Sequence, residues 1–541
     1  MLSAQNLLTT SGVQTMKALE TRKTVSLVSV FKLKEEIRRR KIIPVGVAFA
    51  LLTFILTNYG MAWADESWRD VNTYGAVGDG VTMNTRAIQS AINTCPAGGV
   101  VWLHNGTFLS GTIMLHDNMT LCIDSTAVLL GSGLTNDYSW LNANASNTQQ
   151  PLCDTALIYA QNCTNVTING GGTVNGNGRT NFPPDYAGLR PIAILTSLCT
   201  NVLIQNINVV DSAQWTVVNL EADYLTISNV TINDDGLLPN RDGFDVIDCW
   251  HVVIENCTID SGDDSICLKS GSPRGVQDFI ARNCTITKSG ANGLKLGTAS
   301  SGTFSNILFQ DCTIMNTHSA AMNVESVDGA TITDVTFENI NFSGCQNAIF
   351  MILGTRDPGV EPGTINGVQF RNITGSDLID NRGCPISGDR TNGVTYYLQN
   401  ILFDNVNIAF AGYLLDVPAP PPEYAGQYPE NIMWGDLPAY GYYIRHAFNV
   451  TFTNCSTSVV GPDARPWLAA TDDVASLKVI PPPPALNVVP NAGALVLQWD
   501  GSFLLQSATN LNGIYTSVAG ATSPYTNNLP NSRERFFRLI Q

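Results

Sequence analysis

A chain of 541 residues is longer than one ordinary globular domain, yet a repetitive fold carries several hundred residues as one unit because each repeat packs only on its neighbours. It holds 29 Lys/Arg against 45 Asp/Glu; residues 1–64 contain nine of the bases and three of the acids, so the remaining 20 and 42 leave the rest of the chain at a formal −22. A field of that sign argues against nucleic acid and anionic membrane surfaces as partners, and it requires local cations wherever an anionic ligand is to bind.

At the amino terminus Lys32, Lys34, Arg38, Arg39, Arg40 and Lys41 precede the apolar run IIPVGVAFALLTFILT, which ends at Ala62-Trp63-Ala64. Basic, apolar and small-residue regions in that order are those of a secretory signal with a basic leader over 1–64, cut after Ala64. This predicts a secreted protein, extracellular or periplasmic, with no membrane attachment once the signal is removed. An uncleaved anchor is the alternative, since the run nears the roughly 20 apolar residues that a span requires. All 13 cysteines follow the signal, and an odd number leaves at least one thiol free. Cys257, Cys284 and Cys455 occur as Asn-Cys and Cys312 as Asp-Cys, each after a β-type run, which predicts a column of small buried side chains rather than a disulfide framework. No cysteine or histidine spacing suits zinc, and neither a metal nor a cofactor is expected.

TRAIQSAINTC at 85–95 has helical spacing and is expected to cap the open end of a repeat array. The repeat itself begins with NVTING at 165 and passes through YLTISNVTI at 224, HVVIENCTI at 251, DFIARNCTI at 278 and NILFQDCTI at 306, ending near Cys455. Apolar and polar residues alternate before each Asn/Asp turn, which is the β period; a nearly constant step makes the array a solenoid. A coil of about 22 to 28 residues fits three short strands, and coils stack as parallel sheets about 4.8 Å apart. Asn at the turns tolerates left-handed backbone and hydrogen-bonds to its counterpart in the next coil. The fold class is therefore all-β, a right-handed parallel β-helix over 65–477. Pro481 to Pro484 lie in a stiff linker over 478–486, followed by a small β-module over 487–541.

Two segments break the pattern. They are Asn240-Arg241-Asp242-Gly243-Phe244-Asp245 and Gly262-Asp263-Asp264-Ser265-Ile266-Cys267-Leu268-Lys269. Asp242 precedes Asp263 by 21 residues, about one coil, so Asp242, Asp263 and Asp264 should emerge together on one edge. Carboxylates so close cannot all ionise easily, which leaves a proton donor beside groups able to activate water. Inverting glycosidases require that combination. An Asx-type turn explains either segment taken singly, and Asp245 is expected to hydrogen-bond its local turn.

On these two segments, and on the opening NTYGAVGDGVTMNTRAIQSAI, the chain resembles glycoside hydrolase family 28, the polygalacturonases and rhamnogalacturonan hydrolases, over about residues 70–475. In that family an N-T-D-G segment and a D-D segment one coil later carry the catalytic aspartates. The resemblance implies Asp263 as general acid, with Asp242 and Asp264 holding the water, and a monomeric enzyme acting on a pectic or related plant-type polysaccharide.

The chain also departs from the family. Where a G-H-G segment is usual it reads Gly290-Ala291-Asn292-Gly293-Leu294-Lys295-Leu296-Gly297, and the following coil, where R-I-K is usual, reads Ala321-Met322-Asn323-Val324-Glu325-Ser326. The cations that would grip a uronate are missing from those places. Asn292, Lys295, Lys269 and His318 are the candidate substrate-binding residues that remain. Resemblance to bacterial members lacking that histidine implies a neutral or branched pectic target, or an exo mode of attack. Tyr428-Pro429-Glu430 and Pro438 to His446 suggest an irregular insertion whose aromatics either stack on sugar rings or seal the end of the solenoid. Two other readings share the fold: a catalytically silent carbohydrate-binding or adhesin solenoid, and a pectate-lyase-like enzyme, for which no arginine base is evident.

Overall fold

A computed structural model describes residues 67–540, except 142–154, 180–181, 183–189, 235–238, 357–358, 424–426, 483–485, 492–493, 501–502, 511–513 and 529–534. The signal-like segment at 1–64 lies outside the described residues. No helix among the described residues is long and apolar enough to cross a membrane.

Parallel strands from Trp68 to Ile480 join in one continuous sheet system, wound as a right-handed parallel β-helix. The alternating sequence explains the winding. Along Asp223–Asn233, for instance, Leu225, Ile227, Val230 and Ile232 are buried while Thr226 and Thr231 are not, and each residue lies against its equivalent one coil on. The core is thus built from columns. Phe279, Phe309, Phe337, Phe370, Phe403 and Phe452 form one, with successive ring centroids 4.4 to 5.4 Å apart. Cys257, Cys284 and Cys312 form another, which Ile340, Ile373 and Val406 continue in the same register. The twelve described cysteines are all free thiols, as columnar packing rather than cross-linking requires.

Turns carry the second ladder. Asn165, Asn201, Asn306, Asn339, Asn372, Asn400, Asn405 and Asn449 all hold φ between 51° and 59°. Their side-chain amides bond from coil to coil: Asn372 to Asn339 at 3.0 Å, Asn405 to Asn372 at 3.0 Å, Asn201 to Asn165 at 2.6 Å. The coil length is not constant throughout. Ladder partners are 28 residues apart at Asn339, 33 at Asn372 and 49 at Asn449, because loops inserted at the turns lengthen later coils without disturbing the strands.

Helix α1 (Thr85–Asn93) buries Ile88, Ala91 and Ile92 in the core of the first coils. Strand Leu468–Ile480 pairs with Tyr442–Thr453 along its length, so the helix runs through Ile480, past the expected end at 477. Residues 487–540 form two three-stranded antiparallel sheets, with Leu497, Trp499, Leu505 and Leu539 buried together.

One sheet positions the site. Its strands are β1 (Val217–Leu220), β2 (Phe244–Ile247), β3 (Ile266–Lys269), β4 (Leu294–Leu296), β5 (Ala320–Ser326) and β6 (Asn347–Leu353). Inward, Val217, Phe244, Ile266, Leu294, Met322 and Ile349 stack in register. Outward, the same pairing aligns Val218, Asp245, Cys267, Lys295, Asn323 and Phe350.

Replacing Phe337 by Ala should remove about 3–5 kcal/mol of stability, because a continuous ring column cannot collapse around the missing ring. Chemical denaturation of the variant checks this; a loss below about 1 kcal/mol would show that the column adds little.

Candidate active site

Over most of its length the outer face of this sheet is apolar. Val218, Leu220 and Ile247 belong to a buried cluster with Leu141, Tyr159, Leu195 and Trp215 on one side. Phe350 and Ile352 belong to another with Trp434, Leu437 and Tyr443. Between these patches the outward positions become polar or charged: Asp245 on β2, Cys267 and Lys269 on β3, Lys295 on β4, Asn323 and Glu325 on β5. The aspartates enter this gap from the turns just before β2 and β3.

Backbone hydrogen bonds lock those turns together. The Arg241 carbonyl accepts from the Gly262 and Asp263 amides at 3.0 and 3.2 Å, and Gly243 N–H donates to the Asp264 carbonyl at 2.9 Å. At Gly290 a Cβ would come within 1.9 Å of the Gly262 carbonyl oxygen, so only glycine allows that coil its close approach. Arg241 is wholly buried, with Nη2 2.7 Å from Asp211 Oδ1. Its part in holding the two turns had no signal in the sequence beyond its position beside Asp242.

The three aspartates differ in environment. Asp242 and Asp264 are buried, and Asp263 alone presents appreciable surface. Asp264 Oδ1 accepts from Asn292 N at 3.0 Å and Asn292 Nδ2 at 2.8 Å, while Oδ2 accepts from Lys295 Nζ at 2.9 Å. Burial works against its charge, but Lys295, Lys269 and these donors outweigh burial and hold the carboxyl below the usual range. Burial, then the charges of Asp245 and Asp263, push Asp242 well above that range. Asp263 is raised by burial and by the charge of Asp264, although its oxygens accept from the Asn240 and Asp264 amides at 3.1 and 3.0 Å. One low carboxyl and two raised ones share the gap.

Lys269 Nζ lies 3.2 Å from Asp245 Oδ1 and 3.6 Å from Asp242 Oδ2, and 5.2 Å from the centroid of the Trp215 ring. Asp245 therefore does not serve its local turn: it sits within β2, faces outward and pairs with Lys269, with burial raising its pKa to about 6. Lys269 and Lys295 are both buried with their ammonium groups against carboxylates. Asn292 is buried behind Asp264. His318 is exposed in the turn before β5, two coils beyond Asp263, about 10 Å at the sheet spacing. The structure thus brings Asp242, Asp263, Asp264, Asn292, Lys269 and Lys295 together, and His318 stands apart. Glu325, Asn323 and Asp245 also line the gap, and alternation within their strands was the one signal that pointed outward.

Asp242, Asp264 and Cys267 bring ligand-type atoms within 4.8 Å of one another. Ammonium groups already stand against all three, with Lys269 Nζ donating to Cys267 Sγ at 3.0 Å, and burial keeps that thiol protonated. The donor set is a poor fit to a cation.

The later insertion also differs from expectation. Tyr442 and Tyr443 lie in the strand Tyr442–Thr453 rather than in a loop; Tyr442 packs in the inner core and Tyr443 against Trp434. His446 is buried and bonds Glu423 at 2.8 Å, and Arg445 stacks on Trp434. Tyr428 remains exposed, with the Arg356 guanidinium over its ring. Asn431 reaches Ser319 Oγ, beside His318, at 3.1 Å.

Fold and site together define a right-handed parallel β-helix that carries acidic turns on successive coils. Residues 115–410, more than half of the chain, match the model of glycosyl hydrolases family 28, and the chain belongs to that family. It is 28% identical to a probable polygalacturonase of Vitis vinifera over 267 residues, 46% of this chain and 54% of that protein. To an endo-polygalacturonase of Pectobacterium carotovorum subsp. carotovorum it is 27% identical, over 43% of this chain and 62% of that one. The chain thus spans little more than half the length of these relatives. Among solved structures, the Yersinia enterocolitica family 28 exopolygalacturonase superposes with a TM-score of 0.59 at 19% identity, over 77% of this chain and 78% of that one. The Thermotoga maritima exopolygalacturonase gives 0.57 at 18%, over 72% and 91%. Likeness at that identity establishes the shared fold.

Lys269→Met should destabilise the protein by about 3–5 kcal/mol at neutral pH, because it strands two buried carboxylates. A carboxyl with a raised folded-state pKa stabilises below its unfolded value and loses that contribution as pH rises through the folded one. The penalty should therefore be larger at pH 8 than at pH 5. Denaturant melts at the two pH values check it, and an equal penalty at both counts against the pairing.

Proposed function

We propose that this chain is a secreted glycoside hydrolase that cleaves O-glycosidic bonds in a pectic or related plant-type polysaccharide with inversion at the anomeric carbon. The observation that carries the reading is the divergence of carboxyl environments within one gap. Asp264 is held ionised by Lys295 and Asn292, whereas Asp263, the one with surface, is held toward its protonated form. Asp263 protonates the departing glycosidic oxygen. Asp264 takes the proton of a water that attacks from the opposite side, and Asp242 helps to hold that water. Lys269 keeps Asp242 and Asp245 tolerable in a buried site.

The same geometry bears on the substrate. Lys269 and Lys295, the cations nearest the aspartates, are spent on carboxylates, so neither is offered to a uronate. A neutral sugar at the scissile bond, in a branched or mixed pectic chain, fits this balance better than plain polygalacturonate. Asn431 on Ser319 and the apolar plug around Trp434 close the sheet's outer face two coils beyond Asp263. An outer face closed on one side suits attack at a chain end. The signal-like order at 32–64 supports export.

Reducing-end release by residues 65–541 from homogalacturonan, rhamnogalacturonan and neutral pectic side chains tests the proposal. Asp263→Asn should lower kcat by about 10²–10⁴, and NMR of the first product should show an inverted anomer. Glycan binding without release by the wild type would replace the hydrolase with a binding solenoid.

A further inference from the structure

Five buried side chains close into a ring behind Asp264. Asn292 Nδ2 donates to Asp264 Oδ1 at 2.8 Å, and Asn323 Nδ2 donates to Asn292 Oδ1 at 2.9 Å and to Glu325 Oε1 at 2.7 Å. Glu325 Oε2 lies 3.9 Å from Lys295 Nζ, which donates back to Asp264 Oδ2 at 2.9 Å. All five are at most 5% exposed. They arise from three successive coils, and Glu325 comes from the coil where the family's basic segment is absent.

Such a ring has two consequences. Both oxygens of Asp264 are tied to donors whose own positions depend on Glu325, so the direction of its remaining lone pairs is set two coils away. Lys295 is also shared between two carboxyls. Whether Glu325 is charged decides how much of the ammonium is left to Asp264, and adds or removes a negative charge near Asp263.

We infer that Glu325 is a positioning residue of the hydrolytic site, acting through Asn323, Asn292 and Lys295 to orient Asp264 and to set the charge that Asp264 and Asp263 experience. The inference rests on the hydrolase reading given above. Burial raises the Glu325 pKa to about 7; Lys295, the Asn323 hydrogen bond and Arg356 oppose the rise, and the charge of Asp264 adds to it. Arg356 is itself paired with Asp328 at 2.6 Å. Below about pH 7 Glu325 is neutral and Lys295 serves Asp264. Above it, ionised Glu325 draws on Lys295, leaves Asp264 the stronger base and helps Asp263 keep its proton.

The test is the pH dependence of Glu325→Gln, which keeps the shape of the ring and removes its titration. Its kcat/KM should match wild type within about twofold at pH 5.5 and fall about threefold or more behind at pH 8, with Glu325→Asp restoring the wild-type profile. A deficit that is equal at both pH values overturns the inference and leaves Glu325 a purely structural group. If wild type cleaves no glycan, the hydrolase reading fails by itself, and the ring is read from stability. A carboxyl raised in the folded state loses stabilisation as pH rises through about 7. The Tm of Glu325→Gln should therefore gain on wild type from pH 5.5 to 8, and a constant difference overturns the ring's charge role. Should that variant not fold, Asn323→Asp replaces it: a third carboxyl in the ring should lower Tm relative to wild type more at pH 8 than at pH 5.5, and a pH-independent effect overturns the inference.

Discussion

The β-helix and the site it carries depend on coils stacking in register at the parallel-strand spacing. Hydrogen bonds between coils align each residue with its equivalent above and below, so a residue type repeated in sequence becomes a column in space. The phenylalanine column, the thiol column and the asparagine ladder are the same constraint acting on different side chains. Insertions are confined to the turns. The coil ending at Asn449 is 49 residues long, yet its amide still reaches Asn400 at 2.6 Å.

The site is where register serves chemistry rather than packing. Like residues stack without conflict when they are apolar; like charges do not. Along the outward rows Asp245, Cys267, Lys295 and Asn323 follow one another, while Lys269 reaches back to Asp242 and Asp245. Two lysines set among the acids of neighbouring coils make several buried carboxyls tolerable. It also differentiates them, since the carboxyl flanked by lysines ionises readily while those facing other acids retain protons. The apolar plugs on either side exclude water from the lysines and carboxylates, which strengthens each of these interactions.

Much of this was legible in the chain. Period-two alternation and the Asn/Asp step identify the solenoid, and spacing alone places Asp242, Asp263 and Asp264 together. The reach of the reading ended where side-chain partners are chosen. Asp245 reads like a turn residue because Asp is common in turns, and only its place inside β2 turns it toward Lys269. Tyr442, Tyr443, Arg445 and His446 read as part of an irregular aromatic and basic insertion. They are strand residues covered by Trp434 and Glu423, segments distant enough in sequence that no local pattern joins them.

Two kinds of information therefore separate. Local alternation and turn chemistry determined the β-helix, the columns and the presence of an acidic edge, because a repeat step converts sequence distance directly into coil number. Tertiary structure decided the ionisation of each acid, the commitment of both lysines and the membership of Glu325 in the ring behind Asp264. Those depend on outward side chains from three coils meeting in a space that water has left, and the strength of a charge in that space is set by its neighbours and its burial rather than by its place in the chain.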